Sequence, residues 1–82
     1  MQITVRYFAG AAQAAATTSE SIEISPDTTL EQLLSQLSQR SDELARVLAA
    51  SSYLINSRPV IDRSSVLDEG INLDVLPPFA GG

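Results

Sequence analysis

Thr28-Thr29-Leu30-Glu31-Gln32-Leu33-Leu34-Ser35-Gln36-Leu37 is the stretch that sets the architecture of this chain. Leu30, Leu33, Leu34 and Leu37 recur at i, i+3, i+4 and i+7, one apolar stripe of an α-helix. Glu31, Gln32, Ser35 and Gln36 fall on the wet side. Thr28 with Glu31 three residues on fits a capping box, which puts the N-cap at Thr28. The helix should stop near Gln39 or Arg40. Ser41 or Asp42 then caps a second, shorter helix that turns Leu44, Val47 and Leu48 inward.

On both sides of this helical block the period changes from 3.6 to two. Upstream, Ile3, Val5 and Tyr7 alternate with Gln2, Thr4, Arg6 and Phe8, a half-buried strand. Ile22 and Ile24 flank Glu23 in a second short strand over 21–25, broken by Pro26-Asp27. The alanine-rich segment 9–18 between them has no clear period and reads as a short helical turn or a loop. Downstream, Tyr53-Leu54-Ile55 is a strand and Asn56-Ser57-Arg58-Pro59 a turn. Val60-Ile61 returns as an edge strand, the one sheet position that tolerates Pro59 nearby. After a turn at Asp68-Glu69-Gly70, Ile71, Leu73 and Val75 alternate with Asn72, Asp74 and Leu76. The order β-β-α-(α)-β-β-β predicts an α+β fold, a mixed sheet of about five strands with the main helix packed across one face.

Composition limits what such a domain does. The 82 residues make one domain with a modest core and no room for a deep catalytic cleft. The net charge of −5 opposes contact with nucleic acid and favours a partner with a basic patch. No apolar run is long enough to span a membrane and no signal-peptide pattern opens the chain, so the default compartment is cytoplasmic. Histidine and cysteine are both absent. That removes the usual nucleophile pairs and the imidazole and thiolate metal ligands. All five cations are arginine, so no lysine is available on the chain itself for conjugation to an activated carboxyl group. The acidic pairs Asp42-Glu43 and Asp68-Glu69 read as solvated surface.

Two apolar residues break the alternation. Phe8 lies on the polar face of the first strand and Leu76 on the polar face of the last, each at the strand's C-terminal end. Parallel pairing of these strands would set them side by side. There they form either an exposed partner surface or a pair covered by the second helix or a loop.

Beyond Leu76, residues 77–82 read as an extended tail on a domain of residues 1–76. Pro77-Pro78 favours a stiff polyproline-type stretch. Phe79 is either an anchor for a partner or a residue folded back on the core. Ala80, Gly81 and Gly82 form a thin backbone suited to a narrow site in another protein. A terminal carboxylate at Gly82, ionised at neutral pH, would be the one reactive group. A frayed end is the plainer reading.

Three segments carry a resemblance that covers essentially the whole chain: Val5-Arg6-Tyr7-Phe8-Ala9, Leu67-Asp68-Glu69-Gly70 and Leu76-Pro77-Pro78-Phe79-Ala80-Gly81-Gly82. They resemble the MoaD/ThiS family of ubiquitin-like β-grasp sulfur carriers, and within it the small subunits of molybdopterin synthase. The chain departs from these at Ala12-Gln13-Ala14-Ala15-Ala16, where relatives often carry an Arg-Glu pair and a glycine. The resemblance implies a mechanism. A ubiquitin-activating-like adenylyltransferase uses ATP and magnesium to adenylate Gly82, and a sulfurtransferase supplies sulfur to make a thiocarboxylate. The tail, Pro77 to Gly82, enters the large catalytic subunit of molybdopterin synthase, and the sulfur passes to cyclic pyranopterin phosphate to build the dithiolene. Phe8, Pro59 and Leu76 are implied to meet the partners. The carrier would bind no cofactor or metal and have no active site of its own. Carriers for thiamine or cysteine synthesis, a protein modifier joined to lysines, and a plain interaction module are the alternatives.

Overall fold

The computed structural model describes residues 1–78. Alternation builds strands β1 (Gln2–Tyr7), β2 (Ser19–Glu23), β3 (Ser52–Ile55), β4 (Arg58–Pro59) and β5 (Asn72–Leu76). They form one mixed sheet in the order β2-β1-β5-β3-β4. β1 and β5 are the parallel pair at its centre; the other neighbours run antiparallel. Among the described residues three helices, α1 (Gly10–Ala15), α2 (Leu30–Ser38) and α3 (Asp42–Ala50), accompany the sheet. The leucine stripe does what its period predicts: Leu30, Leu33, Leu34 and Leu37 are buried, with Leu44 and Leu48 of α3. They join Ile3, Val5, Tyr7, Tyr53, Leu73 and Val75 in a single core on one face of the sheet.

The helices differ from expectation in two ways. α2 starts one residue late. Thr29 is its N-cap, with its hydroxyl accepting the Gln32 N–H at 3.1 Å while the Gln32 side chain accepts the Thr29 N–H at 3.0 Å. The box is therefore Thr29–Gln32, not Thr28–Glu31. Thr28 is committed elsewhere: its hydroxyl donates to the Ser25 carbonyl at 2.6 Å and closes the turn before the helix. The second helix, α3, is capped by Ser41 and is nine residues long, as α2 is, so it is not the shorter element. Of the two readings of segment 9–18, the helical one holds: α1 is a six-residue alanine helix with Ala11 fully buried. Methyl groups give little polar–apolar contrast, so its period is faint, but they let it pack close to α3.

Two strands also move. β2 begins at Ser19, because the Glu20 side chain is held at the core rim by Tyr7 and Arg40. The return strand is Arg58–Pro59, two residues earlier than Val60-Ile61, because the hairpin closes on only Asn56-Ser57, both at positive φ. Val60 still donates its N–H to the Tyr53 carbonyl at 3.0 Å. β4 is an edge strand, as Pro59 requires. The buried Tyr53 hydroxyl donates to the Leu48 carbonyl at 2.6 Å, and burial pushes its pKa up to about 12. Among the described residues no helix is long and apolar enough to cross a membrane.

Candidate functional site

Strand register decides which side chains meet on the sheet face away from the helices. Arg6 pairs with Asp74, Asp74 with Leu54, and Leu54 with Pro59. Residues directly opposite one another share a face, so these four form one row across β1, β5, β3 and β4. The next row toward the C-terminal end of β5 holds Leu76 beside Ser52. Phe8 N–H donates to the Val75 carbonyl at 3.3 Å, which carries the β1–β5 ladder one residue on and sets Phe8 next to Leu76. Phe8 is 41% exposed, and Leu76 is half-buried. The covering of Phe8 by a helix or loop, one of the two sequence readings, therefore does not hold among the described residues.

Of the residues expected to meet partners, Phe8 and Leu76 are neighbours and Pro59 lies one row away, exposed on the edge. Pro77, half-buried, and Pro78, exposed, continue from the same end. Phe79, Ala80, Gly81 and Gly82 lie outside the described residues, so the anchor, insertion and reactive-end assignments fall there. A shallow groove of about 390 Å³ runs along the β4 edge beside Pro59, lined also by Ile55, Val60 and the 98% exposed Ile61. Among the described residues no cluster of acidic side chains is arranged to hold a metal ion.

Sequence reasoning missed the polar centre of this face. Arg6 Nε and Nη2 donate to the two carboxylate oxygens of Asp74 at 2.6 and 2.9 Å. Asp74 is almost buried, its side chain 8% exposed, whereas Arg6 is 44% exposed. The carboxylate raises the Arg6 pKa further, so the guanidinium stays charged. The signal was present in the spacing. Arg6 precedes Phe8 by two residues and Asp74 precedes Leu76 by two, so parallel pairing that joins one pair must join the other. Leu54, also missed, flanks Asp74 on β3.

A mixed five-stranded sheet with a parallel central pair and helices on one face makes this a ubiquitin-like β-grasp protein. Solved structures share that fold. SAMP1 from Haloferax volcanii matches with a TM-score of 0.82 at 21% identity, covering 100% of each chain. The HVO 2177 protein of Haloferax volcanii matches with a TM-score of 0.85 at 29% identity, covering 100% of this chain and 87% of that one. A chain from the complex of subunits 1 and 2 of the molybdopterin-converting factor of Helicobacter pylori matches with a TM-score of 0.73 at 23% identity, covering 100% of each. No curated protein sequence matches this chain. The pattern of the ThiS family matches residues 5–82, and the chain belongs to that family.

Proposed function

We propose that this protein is the sulfur-carrier small subunit of a molybdopterin synthase. The observation that carries the reading is the apolar surface of Phe8, Leu76, Leu54 and Pro59 at the root of a Pro-Pro-Phe-Ala-Gly-Gly tail, on a ThiS-family chain. Such a surface holds a partner while the tail extends from β5 into the partner's site. The six tail residues reach about 20 Å when extended. The Gly82 carboxylate attacks the α-phosphate of ATP in an adenylyltransferase, releasing pyrophosphate; magnesium there screens the phosphates. Sulfide-level sulfur, delivered as hydrosulfide by the sulfur donor through a sulfurtransferase, then attacks the acyl carbon, displaces AMP and leaves a thiocarboxylate. The large catalytic subunit receives that tail; the sulfur bonds to the pterin precursor, and water cleaves the acyl–sulfur bond and returns Gly82 to a carboxylate. Similarity to one chain of the Helicobacter pylori two-subunit complex supports a large-subunit partner of this kind. The domain ends at Leu76 and residues 77–82 are its working extension.

Incubation with adenylyltransferase, ATP, magnesium and sulfur donor should change the intact mass by replacement of one oxygen with sulfur. Removal of Gly82 should abolish that change. A wild-type chain that keeps its plain carboxylate under these conditions would end the carrier reading. A second reading, a protein modifier, draws on the likeness to SAMP1. Recovery of the chain joined to lysines of other proteins, with no effect of its loss on molybdoenzyme activity, would favour it. A carrier for thiamine or cysteine synthesis would be marked by those requirements instead.

A further inference from the structure

The Arg6–Asp74 pair sits where an ion pair is least needed for folding. It lies on the open face, away from the core, in the same row as Leu54 and Pro59 and beside the row of Phe8 and Leu76. Asp74 spends both oxygens on Nε and Nη2 of Arg6. The guanidinium is therefore fixed side-on, and among the described residues its Nη1 has no partner. A planar fork held on one edge presents its other edge in a defined direction, unlike a freely rotating surface arginine.

We propose that Arg6, oriented by Asp74, is a recognition residue of this face and donates its outward N–H edge to a main-chain carbonyl of the docked protein. The inference rests on the reading that the open face receives a protein partner. Charge identifies the acceptor. Arg6 and Asp74 together are neutral, and docking would close apolar side chains over them. A partner carboxylate would bring an unmatched negative charge into that dry region, on a chain whose net charge is already −5. A carbonyl satisfies the N–H groups without adding charge. Asp74 acts as a positioning residue, since it touches Arg6 and is nearly closed off from solvent.

The test titrates the large subunit of molybdopterin synthase from the same source into three chains by calorimetry: wild type, R6M/D74L and F8A. The double variant replaces the pair with apolar residues of similar size, an exchange that leaves folding neutral or improved. It should melt no lower than wild type yet bind at least about 10-fold more weakly, as for loss of a hydrogen bond to a charged group. The loss should be the same at low and high salt, because a neutral acceptor is not screened. A loss that vanishes at high salt would identify a partner carboxylate and overturn the carbonyl assignment. Unchanged or tighter binding by R6M/D74L, with F8A weakened, would overturn the role of Arg6 and leave the docking face standing. Failure of the wild type to bind, or binding unaffected by F8A, would bring down the docking reading itself. Should R6M/D74L melt early, R6K carries the test. Lysine keeps the charge beside Asp74 but cannot span both groups with one planar fork, so unchanged affinity would overturn the inference.

Discussion

On the helix side of the sheet, Val5, Tyr7, Tyr53, Leu73 and Val75 are buried beneath the helices, while on the other side the same strands carry Arg6, Phe8, Leu54, Asp74 and Leu76. Alternation places each set automatically, so a single residue step moves a side chain from core to surface. The inner set is uniform in chemistry and serves stability. The outer set mixes an ion pair with aromatic and aliphatic groups, a combination that folding alone does not demand. The difference separates two kinds of apolar residue that a hydropathy profile treats alike.

The largest effect falls on the core. Leu73→Ala removes a fully buried side chain beneath the helices and should cost about 2–5 kcal/mol. That is a large part of the ~5–15 kcal/mol available to a domain, and urea denaturation should show much of the variant unfolded in moderate denaturant. A loss under ~1 kcal/mol would mean that the inner face is not tightly packed.

The next effect moves to the other face and to another measurement. Phe8→Ala should leave folding within about 1 kcal/mol of wild type, since the ring is 41% exposed. Affinity for the partner should fall by roughly 10-fold or more, as for aromatic groups at the centre of an interface. Leu76→Ala, at a half-buried position, should lower both, with binding the larger loss. Equal losses of folding and binding in both variants would merge the two faces into one core.

How much of this was legible depended on contrast between side chains. The strands and the α2 stripe were readable because leucine, valine and isoleucine alternate with polar residues at a fixed period. Phe8 and Leu76 were readable as breaks in that period. Pro59 at an edge followed from its missing N–H. The alanine helix α1 was faint because alanine suits either side of a helix. The Arg6–Asp74 pair and Leu54 were hidden because they look ordinary within their own strands; only the register across strands brings them together. The placement of the cap was lost between two adjacent threonines, each with an acceptor three residues away.

That choice gives a smaller effect. Thr29→Ala should cost about 1 kcal/mol, followed by thermal melting with helix content read by circular dichroism. Thr29→Asp should restore most of it, because an N-cap needs only an acceptor. The same exchange at Thr28 should not rescue, because Thr28 donates its hydroxyl hydrogen to the Ser25 carbonyl and an ionised aspartate has none. Rescue at Thr28 rather than Thr29 would return the cap to the earlier residue.

The smallest effect lies at the rim of the inner face, where Glu20 accepts from Arg40 at 2.7 Å and from the Tyr7 hydroxyl at 2.7 Å. The Arg40 hydrogen bond, aided by Tyr7 and opposed by partial burial, holds the Glu20 pKa below the usual carboxylate range. A folded pKa below the unfolded one adds stability that is fully present above the unfolded value of about 4.3 and disappears as pH falls through the folded value. The contribution should be under ~1 kcal/mol, because Arg40 is 45% exposed and solvent screens the pair. Glu20→Gln keeps an acceptor for Tyr7 and removes the charge, so its stability should fall less steeply than that of wild type below about pH 4.3. Parallel acid-denaturation curves for the two proteins would place the acid response in other carboxylates. Converging curves would show that even this polar contact at the rim belongs to the stability of the inner face, in contrast to the role proposed for Arg6 and Asp74 on the open face.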